Sequence, residues 1–366
     1  MNLKSLSQNA FIVLCFLILL ITNNYFTYEQ SLVFGAIDGF DYFIIADKLG
    51  NIPQETLSYH KAWRFIVPSL VSFVSKFFAL DTYLTFRIFT IIASLLSIYI
   101  FNLILTKLKI ENKHIFFLNL LFIFNPYLFR FFIANPTMLN DLVFINSALL
   151  IILSHTNNDK KLFYTGLLLG LFTRQNAIFY LISIILIKII FKNRSFFKLR
   201  DIIFSIILTI FIFSINNYFA NLCTEYNESY SFANIFNLFT FNYSIYEFIT
   251  YNLFLLIIII PIIGYVFIER EKYLKNLVKS EFYLLVFFLT FFMCSIAYVG
   301  GPMITGKNLI RLCNLVYPLI IVLMIYPFKL DTNTRIGYKY LYIPILFLWS
   351  LHPTFSNINL FNFLKF

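Results

Sequence analysis

The chain has 366 residues, of which 60% are hydrophobic, 20% aromatic and 12% charged, with a mean hydropathy of +0.82. Soluble domains carry about 25% charged residues, so this composition excludes a soluble globule, a disordered chain and a fibrous protein. The net charge of +11, from 28 Lys and Arg against 17 Asp and Glu, reads as cytoplasmic loop charge retained during insertion rather than as a nucleic-acid surface.

The apolar residues come in continuous blocks and not in alternation, which excludes a β-barrel and predicts an all-α polytopic membrane protein. The first block follows Lys4 and has no small-residue cleavage site after it, so an uncleaved helix is expected over 10–26 with its N-terminus inside. Further spans are predicted at 83–105, 115–132, 137–154, 161–173, 175–191, 202–219, 247–268, 282–299, 309–328 and 340–351, about eleven in total. Residues 1–366 read as a single membrane-embedded domain with no soluble domain. The outer loops 27–82 and 220–246 are expected to be ordered, and the inner loops 192–201 and 269–281 to be solvated connectors.

One apolar stretch is kept out of the membrane count. Between Trp63 and Leu80, Pro68 interrupts the run, and Ser69, Ser72 and Lys76 recur at helical spacing. A single polar stripe on a greasy helix suits the interface plane. Were it to cross, Lys107, Lys109 and Lys113 would fall outside, against the positive-inside rule. With it on the outer surface, the whole excess of positive charge falls on the inner segments. The four cysteines, Cys15, Cys223, Cys294 and Cys313, have neither metal-ligand spacing nor a disulfide pattern. The sequons at Asn227 and Asn242 carry little functional weight.

Ionisable groups that topology does not require are the useful signal, because charge at membrane depth is costly. On the outer side these are Asp38, Asp41, Arg64, Arg130, Asp141, Arg174, Lys307 and Arg311. Asp38 and Asp41 lie in Ala36-Ile-Asp-Gly-Phe-Asp-Tyr42, where Gly39 allows a turn and a partly desolvated carboxylate can act as general base. The plainer reading makes Asp38 the cap of a helix starting near Phe40. Lys307 and Arg311, one helical turn apart, suit a phosphate clamp or head-group snorkelling. Arg174 suits a phosphate or an ion pair with Asp141. Arg130 reads as a lipid anchor and His60 as a solvated loop histidine.

The residues Asp38, Gly39, Tyr42 and Ala46, in the first outer loop after a single helix, resemble the Asp-(Glu/Gly)-x-x-Tyr-x-x-x-Ala signature of GT-C superfamily glycosyltransferases. That superfamily includes the protein O-mannosyltransferases and the aminoarabinose transferase of lipid A. Arg64 to Leu80 resembles their Pro-containing juxtamembrane helix, and Phe86-Arg87 onward resembles their second membrane helix. Asn135-Pro136 with Asn140-Asp141 is similar to their outer turn before the fourth helix. Gly166 to Gln175 is similar to their Gly-rich fifth helix, and Arg311 with Tyr317-Pro318 to a late segment of bacterial members. The likeness covers roughly residues 10–190 and is sparse beyond.

The resemblance implies an inverting transfer of a sugar from a polyprenyl-phosphate donor to a lipid or glycan hydroxyl, at the outer face of a bacterial inner membrane. In that reading Asp38 is the base and Asp41 helps orient the sugar or acceptor. Lys307, Arg311 and Arg174 hold the donor phosphate, and Tyr42, Arg64 and Asp141 position sugar or acceptor. Gly39 stands where some branches carry a second acid, so a divalent metal stays an open option and no cofactor is assigned. The competing expectation is a non-enzymatic flippase for a lipid-linked saccharide, which needs the cationic grip but no base. Matching inverted halves, the usual mark of a transporter, are absent from the sequence.

Overall fold

In hydrocarbon a backbone must satisfy its own N–H and C=O groups, and every regular element among the described residues is helical. The computed structural model describes residues 3–33, 37–49, 57, 59–125, 128–223, 249, 280–299 and 315–325. Among these residues are fourteen α-helices: α1 (Leu3–Ile21), α2 (Tyr28–Val33), α3 (Ile37–Asp47), α4 (Tyr59–Ala62), α5 (Ile66–Phe77), α6 (Thr82–Lys107), α7 (Asn112–Ile123), α8 (Phe129–Ala134), α9 (Leu139–Asn157), α10 (Lys160–Thr173), α11 (Ile178–Phe191), α12 (Leu199–Cys223), α13 (Glu281–Val299) and α14 (Tyr317–Ile325). Short 3-10 turns at Pro136–Met138 and Gln175–Ala177 lead into α9 and α11.

Small polar residues share the interior with a large apolar core. Along α6, Thr85, Thr90, Ala93, Ser94 and Ser97 are buried, while Leu84, Ile88, Ile92, Leu95 and Tyr99 are exposed. Small polar residues let helices approach and bond in a solvent as apolar as leucine itself. Ser97 Oγ donates to Asn146 Oδ1 at 2.7 Å, and Asn146 Nδ2 donates to the Ala93 carbonyl at 3.0 Å, which joins α6 to α9. α9 is the central post: 89% of its apolar window is buried, against 28% for α12 at the periphery. The outward apolar faces of α1, α6 and α12 are too extensive for contact with water.

Three of these helices are long and apolar enough to cross a membrane: Thr82–Lys107, Pro136–Asn157 and Leu199–Leu222. Among the described residues these three, and not the expected eleven, meet that length and hydropathy. The predicted span 115–132 is two helices, α7 and α8, separated at Asn125-Pro126, because a proline disfavours helical geometry in the residue before it. The spans 161–173 and 175–191 become α10 and α11, of 14 residues each, and Arg174 between them is extended at φ −152° and ψ 141°. Hydropathy sums apolar residues without registering such breaks. The predictions at 247–268 and 340–351, and most of 309–328, lie outside the described residues.

Contacts fix which helix ends lie together. Thr90 donates to the Pro136 carbonyl, so α6 and α9 run parallel and their N-termini share one end. α10 is antiparallel to α9, with Gly166 and Gly170 facing Ser147, and α12 follows α10 through Tyr164–Asp201 and Asn216–Leu171. One end of the bundle therefore gathers the starts of α6, α9 and α11 and the ends of α10 and α12. The opposite end carries Lys107, Lys160, Lys161, Lys188, Lys192, Lys198 and Arg200.

At that basic end the connector 192–201 is not a solvated strap, as its composition suggested. Glu281 accepts from Ser195 Oγ at 2.7 Å and Phe196 N at 2.8 Å. Lys160 Nζ lies 2.7 Å from Asp201 and 3.6 Å from the centroid of the Phe196 ring, and Phe197 is fully buried. The partners come from α10 and α13, too distant in sequence for local composition to announce them.

Close packing of α10 on α9 depends on Gly166. A Cβ there would sit 2.9 Å from the Ser147 carbonyl oxygen and 3.1 Å from the Ile151 amide nitrogen, both backbone atoms that cannot swing aside. Gly166→Ala is expected to cost about 1–3 kcal/mol through overpacking, read as a lowered thermal midpoint of the detergent-solubilised chain.

Candidate active site

At the end opposite the lysines, five stretches of chain meet: α3, α4 with the residues after it, the start of α9, the α10–α11 break and the end of α12. α3 can reach this point because Gly39 has no side chain. A Cβ at Gly39 would lie 2.1 Å from Thr137 Oγ1, so only glycine lets the helix rest on the 3-10 turn before α9. α3 begins at Ile37, which places Asp38 inside the first turn rather than before a helix starting at Phe40. A carboxylate is favoured there by the helix dipole.

Asp38 and Asp41 share one ammonium group. Lys61 Nζ stands 3.4 Å from Asp38 Oδ1 and 3.1 Å from Asp41 Oδ2, and all three side chains are at most 20% exposed. Burial opposes the charge on Lys61, but Asp41 and Asp38 outweigh it and raise the pKa of the ammonium. Sequence reading missed Lys61. It lies three residues before Arg64 in the same outer segment, and the argument from charge without topological purpose that selected Arg64 applies equally to it.

Arg64 ties the elements together. Its Nη1 donates to the Tyr42 hydroxyl at 2.8 Å, and Nε and Nη2 both donate to Gln175 Oε1 at 3.2 Å. Gln175 Nε2 in turn donates to the His60 carbonyl at 3.2 Å, and Asn140 Nδ2 to the Arg64 carbonyl at 3.4 Å. Asn140 Oδ1 and Thr137 Oγ1 are buried without hydrogen-bond partners in the same turn. Tyr59 bonds Asn217, and Trp63 packs edge-on against Phe213 at 4.9 Å, which fastens the loop to α12.

Arg174 and Asp141 form a fully buried ion pair, with Nε and Nη2 each 2.8 Å from Oδ1. Of the two readings of Arg174, this geometry matches the ion pair, and the guanidinium faces a carboxylate from its own chain. Arg130 is not a lipid anchor: it is buried and donates to the Thr22 carbonyl at 3.0 Å and to Thr22 Oγ1 at 2.9 Å, joining α8 to the end of α1. His60 is not solvated either. Burial first, then Arg64 and Lys61, drive its pKa down to about 4.

The apolar stretch from Trp63 to Leu80 forms the helix α5, preceded by the separate turn α4, with two corrections to its expected form. Pro68 does not interrupt it, since it lies in the first turn, where its missing N–H breaks no bond. The polar stripe is divided: Ser72 is buried and Ser69 half-buried while Lys76 is exposed, and the apolar Leu70, Phe73 and Phe77 are 55%, 66% and 71% exposed. Lys307, Arg311 and both sequons lie outside the described residues. Among the described residues no group of three or more His, Cys, Asp and Glu side chains is placed to hold a metal ion.

No protein-family model matches the chain, and neither curated proteins nor solved structures yield a match.

Two measurements test this arrangement. Arg174→Gln leaves Asp141 as an uncompensated buried charge and is expected to cost about 3–5 kcal/mol, most of it regained when Asp141→Asn is added; thermal unfolding of both variants checks this. His60 is neutral in the fold and takes up a proton near pH 6.5 when unfolded, so its contribution to stability is present above that pH. As pH falls from about 6.5 to about 4 that contribution is lost. The slope from this group is at most ~1.4 kcal/mol per pH unit, and His60→Gln should flatten the fall in thermal midpoint over that window.

Proposed function

We propose that the chain is an integral-membrane glycosyltransferase of the GT-C type that moves a sugar from a polyprenyl-phosphate donor to an acceptor hydroxyl, with its site at the outer face and its N-terminus in the cytoplasm. The observation that carries the reading is the convergence of Asp38, Asp41, Lys61 and Arg64 at one end of the helices, while the opposite end collects most of the described lysines. Retention of Lys and Arg on the cytoplasmic side then puts the acidic cluster outside. Tyr42, placed one turn after Asp38 as the resembling signature requires, is buried and meets Arg64.

In this mechanism Asp38 accepts the proton of the acceptor hydroxyl as that oxygen attacks the anomeric carbon. Asp41 fixes the shared lysine and with it the orientation of Asp38. Departure of polyprenyl phosphate leaves negative charge that Arg64 is suited to meet, because its direct partners, Tyr42 and Gln175, are neutral. Lys307 and Arg311 remain proposed donor-phosphate ligands. Arg174 acts through Asp141, holding the start of α9 against the α10–α11 break, rather than on the donor directly. Each properly placed base or cation contributes roughly 10²–10³ in rate. The reading accounts for the site as an enzyme of a cell membrane, multi-pass and bacterial in type.

The test uses the full chain in nanodiscs with a panel of synthetic polyprenyl-phosphate hexoses and pentoses, and follows release of polyprenyl phosphate in the presence of glycan and lipid acceptors. Asp38→Asn should lower turnover by at least about 10² with little change in donor affinity. Undiminished turnover in that variant removes Asp38 from the mechanism, and movement of donor lipid between leaflets without product replaces the enzyme with a flippase.

A further inference from the structure

The resemblance leaves a divalent metal open, and the geometry bears on whether these residues fit one. Two carboxylates within reach of a common cation are what a metal would use, but that position is taken by an atom of the chain. Lys61 Nζ lies between Asp38 and Asp41, 13% exposed, on a turn packed beneath α3. A divalent ion there would have to displace a buried ammonium or sit against it at a few ångströms, and like charges in a low-dielectric site repel strongly. The donor set does not fit a metal.

We infer that Lys61 is the resident counter-cation of the Asp38–Asp41 pair, a positioning residue that keeps both carboxylates ionised and leaves the site no room for a divalent ion. Without it, two carboxylates sharing one site cannot both ionise cheaply, and one takes up a proton. Other groups face the pair from the neighbouring elements. From α2, Tyr28 faces Asp41 with a phenol that burial keeps protonated. From α4, His60 is held neutral above about pH 4. Arg64 acts on Asp38 from beyond its Tyr42 contact, and the 3-10 turn contributes the uncharged Thr137. Lys76 of α5 turns away to the Leu49 carbonyl, and Arg87 of α6 to the Phe26 carbonyl. The inference rests on the glycosyltransferase reading only for the use made of Asp38; the charge arrangement stands by itself.

The experiment therefore avoids turnover. Dicyclohexylcarbodiimide, which adds to protonated carboxyl groups in apolar surroundings, is applied to the full chain in nanodiscs, and adducts at Asp38 and Asp41 are quantified by mass spectrometry as a function of pH. Wild type and Lys61→Arg should resist labelling at neutral pH. In Lys61→Met the labelling midpoint of one of the two carboxyls should move up by about one to three pH units. A Lys61→Met profile matching the wild type overturns the inference. A second readout needs no lysine variant: wild-type protein titrated with Mn²⁺ should show no bound-ion resonance signal that Asp38→Asn removes, and such a signal overturns it equally. Failure of either arm leaves sugar transfer untouched, while a protein inert towards every donor can still pass both.

Discussion

A guanidinium cannot be left bare where water is scarce, and the fold is arranged around that fact at Arg64. Its planar fork is matched by a phenol from α3 and an amide oxygen from the α10–α11 break, while its own carbonyl meets Asn140 at the start of α9. Three stretches distant in sequence are thus held at one point by a single side chain. The partners have to be polar yet uncharged for the cation to stay available, and Tyr42 and Gln175 are both. Next to this hub the charges are settled in closed sets, Lys61 with its two acids and Arg174 with Asp141, so the whole cluster is near neutral despite its density.

The scaffold that makes this possible mixes small polar contacts with an apolar core. Serine, threonine and glycine let α6, α9 and α10 approach closely, while the bulky residues of α9 fill the interior and those on one face of α6 point outward. Such packing brings backbones close and leaves the helix ends well defined, which is where the charged groups reside. α9 holds both ends in register: Asp141 belongs to the cluster at its start, and His155, in its last turn, lies 3.7 Å from Glu281 at the other. Between them lies ~21 Å of helix.

Much of this was legible in the sequence, for identifiable reasons. Continuous apolar blocks announce helices because the other spanning form that satisfies its backbone, a closed barrel, shows alternation instead, and the acids at 38 and 41 stood out because topology had no need of them. What escaped was whatever depends on a distant partner. Arg130 looked like a lipid anchor because nothing near it in sequence shows that Thr22 waits to receive it. His60 looked solvated because its burial comes from α12 and the α10–α11 break. Lys61 was passed over because a lysine in a loop is ordinarily wet, and only the tertiary approach of α3, permitted by Gly39, places it between two acids. The single span expected over 115–132 failed for a related reason: a hydropathy window averages across the end of α7 at Ile123, whereas the break at Arg174 was legible as a polar residue between two apolar runs.

The shortness of α10 and α11 has a consequence for the lipid around them. Fourteen residues rise ~21 Å, whereas the hydrocarbon layer of a typical bilayer is about 30 Å thick. In a bilayer, acyl chains beside so short a hairpin would compress or tilt to cover the mismatch, and the leaflet would be thinnest over the α10–α11 break.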